Sequence, residues 1–177
     1  MISVTRSVRR LTFSALCLAL CYVLPFLTGQ LQQTGNMLLP MHLPVLLCGM
    51  VCGWPWGLAV GFVAPLLRSL TLGMPPLYPT ALSMALELAA YGFLSGLFTR
   101  LFPKKLPFAW LTLVLAMIGG RLVWGAARFI MAGLSATDFP FSAFLAGAIT
   151  TAWPGMVIQL VLLPPLVLLI RRTRLLE

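Results

Sequence analysis

Charge is scarce in this chain of 177 residues, and acid is scarcest of all. Charged residues make up 8% of it, against about a quarter in an ordinary soluble domain, and the acids are Glu87, Asp138 and Glu177 beside a single histidine, His42. So little polar surface excludes a soluble globular domain and a disordered tail. It also excludes a nucleic-acid binder, which spreads its Lys and Arg over a polar face. One histidine and so few acids offer no second ligand near His42 for a metal, and no G-x4-G-K-[ST] phosphate loop is present. No cofactor is expected. The four cysteines, Cys17, Cys21, Cys48 and Cys52, form two pairs spaced four apart inside apolar runs, which reads as small apolar helix residues and not as a disulfide framework or redox motif. What the chain does contain is hydrophobic: 60% of its residues, with a mean hydropathy of +1.02.

That composition leaves an integral membrane protein. A bilayer span needs about 20 mostly apolar residues, and the apolar runs fall at 11–28, 37–53, 56–73, 78–101, 107–133 and 143–170. The expectation is an all-α integral membrane protein, one six-helix domain over residues 1–177. The second and third runs are short enough to form a re-entrant pair instead. Gly53-Trp54-Pro55-Trp56-Gly57 reads as a tight hairpin turn, and Gly73-Met74-Pro75-Pro76 ends the third run because proline lacks the donor a helix needs. The alternation of a β-barrel is missing, and helices are the other way to satisfy a backbone in lipid. The first run has no small-x-small cleavage site before Thr28 and reads as a retained helix.

The cations set the orientation. Arg6, Arg9 and Arg10 precede the first span, Arg100, Lys104 and Lys105 follow the fourth, and Arg171, Arg172 and Arg174 follow the sixth. With six spans all of them lie on one side, and the opposite loops, 29–36, 73–77 and 134–142, contain no Lys or Arg. The positive-inside rule makes that side, and both termini, cytoplasmic.

Twelve basic residues less these nine leaves Arg68, Arg121 and Arg128, all inside predicted spans together with Glu87. An ionisable residue within a span is by default functional and has a partner or a wet cavity. Arg121 and Arg128 are seven residues apart, so they share a helical face, with Arg121 about 10 Å deeper at roughly 1.5 Å per residue. Trp124 and Gly125 lie between them, giving a stripe of guanidinium, indole, gap and guanidinium. An outward-opening pocket for an anionic, partly apolar small molecule fits this stripe, because the guanidinium fork matches a carboxylate. Plainer readings stand beside it: Arg68 and Arg128 snorkelling to the outer head groups, Arg121 in a structural pair with Glu87, and His42 as a hydrogen-bonded structural residue. The polar loop Gln30, Gln32, Gln33 and Asn36 is either a solvated connection or a lid. Small residues four apart, Ala15/Ala19, Gly49/Gly53/Gly57/Gly61 and Gly92/Gly96, read as close helix packing.

The stretch Met41 to Gly96, MHLPVLLCGMVCGWPWGLAVGFVAPLLRSLTLGMPPLYPTALSMALELAAYGFLSG, resembles the substrate-binding S components of energy-coupling factor (ECF) vitamin transporters. The similar features are the HLPVLLCG start, the glycine hairpin, PLLRSL-x-x-GMPPLYPTA and E-L-A-x-Y-G. Ala15-x3-Ala19 matches the family's A-x3-A motif. The resemblance implies a subunit of the bacterial plasma membrane that is not itself an enzyme. It would capture a vitamin or precursor from outside, then dock through Ala15 and Ala19 on a T component with two ATPases. It further implies lids at Gln30 to Asn36 and Gly73 to Leu77, and a binding wall that includes Glu87, Arg121, Trp124, Arg128, Trp153 and Gln159, with Arg68, Asn36 and His42 added from their charge, polarity and position. The intramembrane surplus of cations favours an anionic cargo, pantothenate or a similar small carboxylate, over cationic thiamine. Two other readings remain open, a stand-alone oligomeric transporter or channel and, more remotely, an intramembrane enzyme.

Overall fold

The computed structural model describes residues 2–27, 37–103, 105–134 and 139–173, with side chains from Ser7 onward. Among the described residues there is no strand. Helix α1 is Ile2–Leu27, α2 His42–Cys52, α3 Trp54–Leu72, α4 Leu82–Leu101 and α5 Leu106–Leu134. A short α6, Phe141–Leu145, leads through one wide turn, Ala146–Thr150, into α7, Trp153–Arg172. Five segments are long and apolar enough to cross a bilayer, with α6 and α7 counted as one.

The second apolar run behaves differently from the others. Helix α2 has 11 residues, about 16 Å at roughly 1.5 Å per residue, against a hydrocarbon core of about 30 Å. Nine of those residues are buried, because α1, α3, α4 and α7 all pack on it. A helix clad in protein does not have to match the bilayer. The chain still passes from one end of the bundle to the other here. Leu39, just before α2, shares a cavity with Arg128, whereas Gly53, just after it, shares another with Arg100 and Arg171. The parity that puts the basic clusters on one side is therefore kept.

The turn after α2 is tighter than the five-residue hairpin expected from sequence. Gly53 alone makes it, at φ 102° and ψ 168°, a backbone that L side chains rarely adopt. Helix α3 starts at once, since Pro55 falls in its first turn, where a missing N–H costs nothing. At its other end Gly73 takes the left-handed conformation (φ 69°) and its N–H bonds to the Ser69 carbonyl at 2.9 Å, a glycine C-cap.

Helix α4 is the centre of the bundle and packs on α2, α3 and α5. The glycine stripes make this possible. A Cβ added to Gly92 would strike the Gly57 carbonyl, one on Gly61 the Leu88 carbonyl, and one on Gly96 the backbone of Gly53 and Trp54. On Gly57 it would lie 2.6 Å from both the Gly49 Cα and the Gly92 carbonyl oxygen. Three helices thus touch backbone to backbone, as small residues allow in lipid.

Helix α1 lies on α2 and α3 alone among its larger contacts. Its buried row is Ser14, Cys17, Cys21 and Pro25, and Cys48 and Cys52 of α2 are buried opposite. Cys48 donates to Ser14 Oγ at 3.4 Å, Cys21 to the Met41 carbonyl at 3.5 Å and Cys52 to the Arg10 carbonyl at 3.7 Å. The thiols therefore pack as small residues with weak donors. Among the described residues no three His, Cys, Asp or Glu could together hold a metal ion. Ala15 and Ala19 point the other way and are exposed.

In α7, Pro164 removes the N–H that would have bonded the Leu160 carbonyl. The Trp110 indole of α5 donates to that carbonyl instead, at 3.1 Å, and so pins α7 to α5.

Candidate functional site

One buried acid organises the outer half of the bundle. Glu87 of α4 is 2% exposed. Its Oε1 lies 2.8 Å from Arg121 Nη1 of α5 and 3.3 Å from His42 Nε2 of α2. Neither nitrogen is aligned for a hydrogen bond to that oxygen, so the Arg121 contact is ionic. The close packing of α2, α3 and α4 brings His42 to Glu87. The His42 ring also meets Tyr91 edge-on, with centroids 5.0 Å apart, and Tyr91 in turn lies against Gly120, one residue before Arg121.

Glu87, His42 and Arg121 line a cavity of about 200 Å³ that Trp124 and Arg128 also border. Its outer wall comes from Leu39, Thr80, Ser83, Met84, Gly147 and Thr151. The stripe predicted on α5 is present, with one change. Gly125 is no gap, because the Phe144 ring of α6 fills the space beside it. Phe144 stacks on Trp124 at 6.2 Å, and Phe139 meets the same indole edge-on at 5.9 Å. Gly147 packs directly on the other side of Trp124, where a Cβ would meet the indole.

Arg121 is 8% exposed, yet its Nε and Nη2 have no hydrogen-bond partner among the described residues. Its guanidinium lies 6.0 Å from the Trp124 ring centre. Arg128, one stripe repeat outward, sits 5.4 Å over the Phe139 ring. Both guanidinium planes are thus set by aromatic faces.

The other expected site residues lie elsewhere. Arg68 is buried, and its Nη1 donates to the Tyr22 carbonyl at 2.9 Å while the Phe26 ring lies 5.1 Å from its guanidinium. It ties α3 to α1 and does not line this cavity. Trp153 is 57% exposed, on the outside of α7. Gln159 is buried, with neither amide atom hydrogen-bonded among the described residues, and it does not line the cavity. Asn36, with Gln30, Gln32, Gln33 and Asp138, lies outside the described residues. Of the second expected lid, Tyr78 just beyond Leu77 donates to the Met131 carbonyl at 2.9 Å, which fastens that turn to α5.

Several wall residues went unnoticed in the sequence. Thr80, Ser83 and Met84 sit seven, four and three residues before Glu87, the spacing of one helix face, so the acid itself marked them. Gly147 and Thr151 gave no comparable signal, because the wide turn Ala146–Thr150 alters the periodicity that would place them.

With Arg68 turned toward α1, the cavity holds Arg121 and Arg128 against Glu87. That arrangement suits binding. The cavity's hydroxyls are those of Thr80, Ser83 and Thr151, and Ser83 Oγ donates to the Thr80 carbonyl at 2.9 Å. No curated protein and no solved structure matched the chain. The profile of the family described as "ECF transporter, substrate-specific component" matches residues 9–167, most of the chain. Its basic ends, its apolar helices and this match agree: the chain belongs to the substrate-specific components of ECF transporters, multi-pass subunits of the bacterial cell membrane.

Proposed function

We propose that the chain captures a small carboxylate of the vitamin class, pantothenate or a molecule like it, in the cavity between Glu87 and Arg128. It would then deliver this cargo by docking on a T component that works with two ATPases. The observation that carries the reading is the cation surplus: two arginines on one face of α5 share a cavity with one acid. Glu87 compensates Arg121 through one nitrogen and leaves Nε and Nη2 to meet a carboxylate. Arg128 and the Trp124 indole would hold the outer, partly apolar part of the cargo. The cavity is smaller than the roughly 300–1,000 Å³ usual for drug-sized ligands, which favours a compact carboxylate over one as large as a folate. Gly73 to Leu77 would serve as one lid and Gln30 to Asn36 as the other. In this reading the chain does no chemistry of its own.

The direct test is mass spectrometry of the small molecule that copurifies, followed by binding of a vitamin panel. A carboxylate should bind and thiamine should not. Tight thiamine binding, or no binding across the panel, would refute the reading. Arg128→Ala should weaken carboxylate binding by about 10- to 100-fold, the loss of one or two charge-assisted hydrogen bonds, with thermal stability near that of the parent. Arg128 is only half-buried and pairs with no acid among the described residues. Calorimetric titration of the variant checks this, and unchanged affinity removes Arg128 from the site.

Docking is assigned to the exposed face of α1 that carries Ala15 and Ala19. Ala15→Trp should leave ligand binding intact and abolish ATP-dependent uptake in proteoliposomes that contain the whole complex. Uptake at the parent rate would move the docking face off α1.

A further inference from the structure

The opposite end of the bundle holds a second and larger cavity, of about 1120 Å³. It lies where the basic clusters converge. Arg10 of α1, Arg100 of α4, and Arg171 and Arg172 of α7 all line it, with no acid among its described lining residues. The positive-inside rule explains why these arginines are cytoplasmic, but it does not explain why they surround one hollow.

Two details make the hollow more than a rim of solvated charge. Met50 is in the last turn of α2, where carbonyls have no helical partner. Arg171 Nη2 donates to the Met50 carbonyl at 3.1 Å, so the guanidinium is fixed on the wall. Thr99 of α4 belongs to the same wall, and its buried hydroxyl has no hydrogen-bond partner among the described residues. The rest of the wall is apolar: Trp54 of α3 and Pro165, Leu168 and Leu169 of α7. That apolar surface does not stop at the cavity, since Leu169, Leu162 and Val161 are half-exposed or more along the outside of α7.

A ligand for this hollow must be anionic at the basic rim and apolar along α7. We infer that the cytoplasmic cavity binds one anionic phospholipid. Its phosphate lies among Arg10, Arg100 and Arg171 with Thr99 as a donor, and its acyl chains run down the exposed face of α7. Basic hollows between membrane helices on the cytoplasmic side take such head groups. Inorganic phosphate would leave the apolar wall bare. An acidic segment of a partner protein would leave the lipid-facing side of α7 uncovered.

Native mass spectrometry of the delipidated full chain, offered equal phosphatidylglycerol and phosphatidylcholine, tests this. One phosphatidylglycerol should be retained with a preference of roughly tenfold or more. That preference should vanish in Arg10→Gln/Arg100→Gln, persist in Arg10→Lys/Arg100→Lys, and persist in Arg9→Gln, whose exposed arginine is outside the cavity. Binding of the vitamin panel by all three variants at the parent level shows that they are folded. Equal retention of the two lipids overturns the inference, as does a preference untouched by Arg10→Gln/Arg100→Gln. So does displacement of the lipid by millimolar inorganic phosphate, which would make this a small-anion site, or by a polyglutamate peptide, which would give it to an acidic protein segment.

Discussion

Arg121→Ala should do two things at once. Binding of an anionic ligand should fall by more than about 100-fold, since a charge-assisted, two-pronged contact is lost. The folded state should also lose about 3–5 kcal/mol, the usual cost of removing one partner from a buried ion pair. The second effect comes from Glu87. It is buried, and its partners at ionic distance are Arg121 and His42. A double variant separates the effects. Arg121→Ala/Glu87→Gln removes the stranded charge and should recover most of the thermal stability without recovering the affinity. Thermal melting in detergent and calorimetric titration, run on both variants, provide the check. If the double variant regains affinity, Arg121 serves only to neutralise Glu87 and the cargo is held by other groups. If the single variant melts like the parent, Glu87 has found another partner.

Gly92→Val should be the most damaging small substitution in the bundle. A Cβ at this position meets the Gly57 carbonyl and Cα, which are backbone atoms and cannot rotate away. Helices α3 and α4 would have to separate, at a cost of about 3 kcal/mol or more, the upper part of the range for overpacking. The effect should also reach the ligand. His42 stands beside Glu87 because α2 packs on α4, so a wedge between helices moves the acid against the histidine. The expected result is low yield, a lower melting temperature and weaker binding together. Gly133→Ala is the control, because a Cβ there meets nothing within 4 Å and the variant should behave as the parent does. A Gly92→Val protein with parental melting would show that the helices tolerate the wider spacing.

The topology was legible because it depends on counts and signs. Nine cations at three chain positions fix the side on which they lie, whatever the packing details. The pairing of Glu87 with an arginine was legible too, since one intramembrane acid among three arginines needs a partner. The partition of those arginines was not. Arg68 and Arg128 stand at similar depths in their spans, yet one bonds the Tyr22 carbonyl and the other overhangs Phe139. Which of these happens depends on where α1 and the chain before α6 lie, and neither is a property of the local sequence. The cysteines teach the same lesson. Pairs spaced four apart on two helices said nothing about facing one another, because that depends on how α1 rotates against α2. The length of α2 was not legible for a different reason: hydropathy reports apolar residues, and a helix surrounded by protein is as apolar as one surrounded by lipid.

The final span has one mechanical consequence. Axial hydrogen bonds give a helix its resistance to bending, and this span alters them at Pro164, at Pro165 and in the wide turn Ala146–Thr150. At Pro164 the interruption is bridged, because the Trp110 indole takes the freed Leu160 carbonyl, while Pro165 frees the Val161 carbonyl beside it. Between Ala146 and Ala152 the register changes from a wide turn, closed by the Thr151 N–H on the Ala146 carbonyl at 2.8 Å, to an ordinary one. The wide turn falls in the outer third of the span, the part that presents Phe144 and Gly147 to Trp124. A bend at that turn would change the angle of the cavity's outer wall, while the Trp110 indole holds the span to α5 at Leu160.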